Sequence, residues 1–150
     1  MNLKAISPVI ATVIIVSVAI AIAVAVAFWM TGITGLFTRY EKLEIVSAYA
    51  TTSLPTDAPT GAKWMVKLTV RNTGTTDVTI DDMFINGKPL NEWSGYVTLA
   101  DSLPTLTTGQ EEDITLYIKE EAGKFTSGQI IEIKLHTAAG NEYPKSVQLP

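Results

Sequence analysis

His136 is the only histidine in the chain, and it falls on the polar side of the run Ile131-Glu132-Ile133-Lys134-Leu135-His136. An imidazole can act as a base or bind a metal, but this position directs it to solvent. A copper-binding sandwich would need more histidines and usually a cysteine, and the sequence contains neither. The absence of cysteine also removes disulfides, thiolate nucleophiles and iron–sulfur sites. Carboxylates gather at Asp81-Asp82 and Glu111-Glu112-Asp113. Calcium takes such ligands, but neither group has the spacing of a known calcium loop, and both read as solvated turn charges. Serine is sparse, and neither Gly-x-Ser-x-Gly nor a phosphate-cradling glycine loop occurs. The expectation is a protein that is not an enzyme and has no catalytic residue, metal or cofactor.

The elements that would carry these residues are strands. Trp64, Val66, Leu68 and Val70 alternate with Lys63, Lys67, Thr69 and Arg71, the pattern of a half-buried strand. Asn72-Thr73-Gly74 marks a turn. Val78-Thr79-Ile80 and Met83-Phe84-Ile85 follow as two short strands, and Asn86-Gly87 is a strong hairpin signal. Further strands are expected at Tyr96–Leu99, around Ile114-Leu116-Ile118, around Ile131-Ile133-Leu135, and from Tyr143 to Leu149. Thr51 to Gly61 reads as a loop. Seven or eight short strands between turn residues predict an immunoglobulin-like β-sandwich with Trp64 as its core anchor. No internal repeat is evident. Trp93, Tyr96, Tyr117 and Tyr143 are expected partly at the surface, where they could serve contacts between heads.

The first forty residues are of another kind. No charge occurs between Lys4 and Arg39, thirty-four positions from Ala5 to Thr38. Much of the run alternates Ala with Val or Ile, a strand-like pattern. An isolated apolar strand would leave its backbone unpaired in lipid, whereas a helix satisfies it internally. The prediction is therefore a helix, with Pro8 in its first turn, where a missing N–H costs little. It exceeds the roughly 20 residues that cross a bilayer. It is also too long for a secretory signal core of 7–15 residues, and it ends in bulky Phe28-Trp29-Met30. Being apolar on every side, it reads as a fully buried element.

Net charge is −4, with 15 acidic against 11 basic residues, and the dispersed acidity excludes nucleic acid as a partner. Twenty threonines suit exposed strands and would also supply acceptors for O-linked glycans. No Asn-x-Ser/Thr triplet occurs.

Lys4-Ala5 followed by Ile6-Ser7-Pro8-Val9-Ile10-Ala11 resembles the processing site of archaeal type IV prepilins. The resemblance is specific over Lys4 to Ala11 and continues in general character to Met30. It implies a leader of residues 1–5, cut after Ala5 by a prepilin peptidase so that Ile6 becomes the mature N-terminus. It also implies a membrane assembly platform with an ATPase, and a homopolymer held together by helix packing. The residues expected in the helical core are Ile6, Pro8, Ile10, Val13 and Ile14, then Val18, Ile22, Val26, Phe28 and Trp29. One departure is Ile10, which stands where bacterial pilins carry a glutamate at the fifth mature position. Archaellins are similar in this region, but their start is usually Gly-rich and lacks Ile-Ser-Pro.

The expected layout is α+β: leader 1–5, a hydrophobic helix 6–45, and a sandwich head 46–150. Gly32 and Gly35 weaken the helix near its end and form a candidate hinge. The expected function is a structural pilus subunit, inserted in the cytoplasmic membrane before assembly and displayed as an extracellular filament for surface attachment. A single-pass anchored binding domain and a minor pilin-like or archaellin-like subunit remain open alternatives.

Overall fold

The computed structural model describes residues 8–150; the leader positions Lys4, Ala5 and Ile6 lie outside them. The described chain divides into two compact units between Arg39 and Tyr40.

The first unit is one helix, α1 (Pro8–Phe37). Its hydroxyls bond back onto the helix itself. Thr12 donates to the Val9 carbonyl, Ser17 to Val13, Thr31 to Ala27 and Thr34 to Met30, each at 2.8 Å. This local bonding leaves these side chains with no need of a partner outside the helix. Gly32 and Gly35 lie within α1, which continues past both to Phe37.

The second unit is a β-sandwich. Its strands are β1 (Leu43–Thr51), β2 (Ala62–Asn72), β3 (Val78–Ile85) and β4 (Lys88–Pro89). After a short 3₁₀ turn at Leu90–Trp93 come β5 (Val97–Leu99), β6 (Thr105–Leu106), β7 (Glu111–Lys119), β8 (Ile130–Thr137) and β9 (Glu142–Gln148). One sheet runs β1-β2-β7-β5 and the other β4-β3-β8-β9, with β6 pairing β3. All pairings are antiparallel. In immunoglobulin terms these orders are A-B-E-D and C′-C-F-G, so the α+β, sandwich-headed architecture is the one the sequence predicts.

Alternation fills the core. β2 contributes Trp64, Val66, Leu68 and Val70; β7 contributes Leu116 and Ile118; β8 contributes Ile131, Ile133 and Leu135, all fully buried. The Trp64 indole N–H donates to the Pro150 carbonyl at 2.9 Å, so the largest core ring leaves no orphaned donor. Among the described residues no buried side-chain polar atom lacks a partner.

Three local features differ from the periodic reading. β3 is one strand rather than two, with a register shift between Ile80 and Asp82. That bulge absorbs the extra residue at Asp81-Asp82 and returns Met83 and Ile85 to the core. β1 begins at Leu43, inside the span expected to be helical, and α1 ends at Phe37 rather than near residue 45. A second bulge, between Ile45 and Ser47, hides the alternation of β1 by switching the inward set from Leu43 and Ile45 to Ala48 and Ala50. Tyr117 is only 8% exposed, so it supports the sheet rather than standing at the surface.

Candidate assembly site

Of the residues expected to build a helical core, all except Ile6 lie on α1. Pro8 is its first residue, where it lacks the N–H that the first turn would leave unbonded anyway. No part of the span Pro8–Gly35 is buried within the chain, and Phe28 and Trp29 remain 77% and 68% exposed. The span is 28 residues, about 42 Å at 1.5 Å per residue, against a hydrocarbon core of about 30 Å.

The Ala/Val-Ile alternation takes on a definite shape on a helix. At 100° per residue, a step of two turns by 200°, so alternate residues fall into separate sectors. Ala19, Ala23 and Ala27 line one shallow groove, and Ala21 and Ala25 line another on roughly the opposite side. Branched residues such as Ile20, Val24, Ile22 and Val26 form the ridges between them. Small-residue grooves let helix backbones approach closely, and branched ridges fill them by dispersion. A Cβ added at Gly32 or Gly35 would meet nothing within 4 Å, so neither glycine is required by a close contact inside the chain.

The sandwich grips the segment that enters it. Thr73 and Gly74 donate backbone N–H bonds to the Lys42 carbonyl at 2.9 and 3.1 Å, and Thr75 donates to the Tyr40 carbonyl at 3.0 Å. In return the Tyr40 N–H donates to Thr75 Oγ1 at 3.0 Å, and Thr76 Oγ1 reaches the Tyr40 carbonyl at 3.2 Å. Gly74 is required here by space. A Cβ on it would lie 2.6 Å from both the Lys42 nitrogen and the Tyr40 oxygen. Beneath this turn, fully buried Asn72 donates from Nδ2 to the Thr76 and Leu106 carbonyls at 2.8 and 3.0 Å. Its Oδ1 accepts from the Gly74 N–H at 2.9 Å. Between the two clasped residues, Glu41 accepts from Thr137 Oγ1 at 2.6 Å. Burial, together with the charge of Glu41, pushes the Tyr143 hydroxyl above its ordinary value. The sequence marked Asn72-Thr73-Gly74 only as a turn; its role as a receptor for Tyr40–Lys42 depends on contacts more than thirty residues apart.

The remaining candidates for chemistry are tied into the sheets. His136 Nδ1 lies 2.7 Å from Asp81 Oδ1. That hydrogen bond raises the imidazole and lowers the carboxyl from their ordinary values. Asp113 is held low by hydrogen bonds from Lys67 and Thr69, and Ser47 extends the ladder by donating to Thr69 at 3.0 Å. Among the described residues no three His, Asp or Glu side chains are grouped to hold a metal ion. The Trp93 N–H donates to the Ile85 carbonyl at 3.0 Å and its ring packs 4.8 Å from that of Phe125, so this aromatic is structural. Tyr96 carries the Lys124 ammonium 3.5 Å from its ring centroid.

No protein-family model matches the chain, and no curated protein matches it. Among solved structures it is similar to the archaellum periplasmic stator protein FlaG from Sulfolobus acidocaldarius, at 20% identity and a TM-score of 0.46. That match covers 71% of this chain and 99% of that one. It is also similar to the Iho670 flagellar-like filament, at 14% identity and a TM-score of 0.39, covering 95% of this chain and 98% of that one. At these identities and scores the likeness assigns neither activity nor partner.

Proposed function

We propose that this chain is a structural subunit of an archaeal type IV pilus, polymerising through α1 into an extracellular filament for surface attachment. The observation that supports it is the span Pro8–Gly35 of α1: 28 uncharged residues with no part buried in the chain. Such a helix needs lipid or other helices around it. Its hydroxyls bond to its own carbonyls and its alanine grooves complement its branched ridges, so copies of itself provide a full apolar environment. In this reading a prepilin peptidase cuts after Ala5, and a membrane platform with an ATPase moves the subunit from bilayer to filament. The sandwich is the displayed surface, and its role is structural rather than catalytic.

A single-pass anchored surface domain is the second reading, supported by the same span, which is long enough to cross a bilayer. Shearing the cells that make the protein and measuring its intact mass separates the two. Polymer free of lipid, with chains beginning at Ile6, is the expected result. Full-length chain that stays with the membrane and dissolves in detergent as a monomer would replace the pilus with the anchor.

A further inference from the structure

The hydroxyls of the sandwich fall into two populations. Those on the strands and tight turns are largely engaged: Ser47 and Thr69 in the cross-strand ladder, Thr79 with Thr105, and Thr137 on Glu41. The loop between β1 and β2 differs. Thr52, Ser53, Thr56 and Thr60 are all exposed, and none of these four hydroxyl oxygens makes a hydrogen bond. The loop holds its shape without them. Ala58 N–H bonds to the Pro55 carbonyl at 3.1 Å, Ala62 N–H to Pro59 at 3.0 Å, and the Ser53 backbone N–H to Thr51 Oγ1 at 3.1 Å. Leu54, Ala58 and Pro59 are its half-buried residues. Pro55 and Pro59 have no N–H and fix φ, which keeps the segment out of the sheet and open to an enzyme. Exposed, unbonded hydroxyls interleaved with proline are the composition of O-glycosylated segments. Ser94, Thr98, Ser102, Thr108, Ser127 and Ser146 are also exposed and unbonded, but no two of them are adjacent, and only Ser102 and Ser146 have a proline within three residues.

We propose that the loop 52–60 is an O-glycosylation site, with Thr52, Ser53, Thr56 and Thr60 as acceptors. The donor is a sugar carried on phosphate, linked to a nucleotide or a lipid. An acceptor hydroxyl oxygen forms a bond to the anomeric carbon, and the bond from that carbon to the phosphate oxygen breaks. The phosphate leaves with the electron pair, and the hydroxyl proton passes to a base of the transferase. The inference requires the sandwich to face outward, which both readings of the function share. A sugar coat here would shield from proteases a long connection between strands in the cysteine-free sandwich.

The experiment compares intact mass and peptide maps of the full chain purified from its own cells with the same chain made in a host lacking O-glycosylation. Whole sugar increments on the peptide containing residues 52–60, removed by alkaline β-elimination, are expected. A T52A/S53A/T56A/T60A variant is expected to lose them and keep the circular dichroism of the parent. A native mass equal to the processed polypeptide, or sugars confined to other peptides, would overturn the proposal. Sugars on the loop of a chain that stays in the membrane would support this site and sink the filament, so the two conclusions fail separately.

Discussion

Thr137 Oγ1 donates a 2.6 Å hydrogen bond to Glu41 Oε1, joining the end of β8 to the residue between the two clasped carbonyls of Tyr40 and Lys42. Thr137 is fully buried, and among the described residues the carboxylate it serves has one other hydroxyl in reach, Tyr143 at 3.5 Å. The entry segment is thus held from both sheets, by the β2–β3 turn and by β8 with β9. The sandwich begins at Tyr40 for this reason, whatever the helix does before it.

Thr137→Val keeps the shape and removes the donor. Glu41 is half-buried, so its charge stays partly hydrated and the loss is held to about 1.5 kcal/mol, the low end for a hydrogen bond to an ionised group. Urea unfolding of residues 40–150 measures it. A variant as stable as the parent would show that water replaces the threonine at no cost.

Gly74→Ala places a methyl against two backbone atoms rather than against a flexible side chain. One strand of the clasp must move, at a cost of about 1–3 kcal/mol. Hydrogen exchange should quicken at the amides of Tyr40, Thr73, Gly74 and Thr75, while β7 and β8 keep their protection. Unchanged exchange at these amides would mean that the entry segment is not held by the turn.

Asn72→Ala removes the side-chain partner of the buried Leu106 carbonyl and the half-buried Thr76 carbonyl, while the Gly74 N–H keeps its bond to the Lys42 carbonyl. A loss of about 3 kcal/mol is expected from unsatisfied buried groups. The midpoint of urea unfolding should fall without a change in slope.

Much of this arrangement was legible beforehand, and the rest was hidden for identifiable reasons. Trp64, Leu116 and Leu135 sit on strands of clean period two, and Asn86-Gly87 has the backbone its sequence implies, with φ of 51° and 77°. β1 was concealed because a bulge at Val46 breaks its alternation, and β4 and β6 are two residues each, too short to carry any period. A short repeat also escaped the linear reading. Thr107-Thr108-Gly109-Gln110 and Thr126-Ser127-Gly128-Gln129 form the same turn, with each threonine N–H donating to its glutamine Oε1 at 3.0 Å. After two intervening residues each is followed by an acidic residue, Ile, any residue and Leu, and each launches a long strand, β7 in one sheet and β8 in the other. The clasp on Tyr40–Lys42 has no local signature, because its two halves are joined only by the fold.

The His136–Asp81 pair gives a pH dependence whose sign is fixed. His136 is raised in the folded state, so its contribution is complete below the unfolded value of about 6.5 and fades as pH rises through the higher folded one. Asp81 is lowered, so its contribution is complete above about 3.9 and fades as pH falls through the lower folded one. The pair therefore stabilises most between about pH 4 and 6.5. The unfolding midpoint of His136→Asn should trail the parent at pH 5.5 and meet it at pH 9, and salt should narrow the gap. A gap that does not change with pH would mean that the imidazole acts by packing, for instance on Phe84, whose ring lies 6.2 Å away edge-on.

The last prediction concerns α1. Val18 and Ile22 face outward, 52% and 59% exposed, so an aspartate at either position is harmless to the isolated chain in water. In a bundle of identical helices the same carboxylate repeats along the core with no cation to meet it, since α1 carries no charge. Val18→Asp or Ile22→Asp should therefore abolish filaments, while residues 40–150 keep their unfolding midpoint. Conservative Val18→Ile should assemble. Lipid tolerates one such charge on a lone helix at a lower cost of about 3 kcal/mol, so a helix that only anchors would still place most of its sandwich at the surface. Filaments of normal yield from Val18→Asp would show that α1 is not the assembly core.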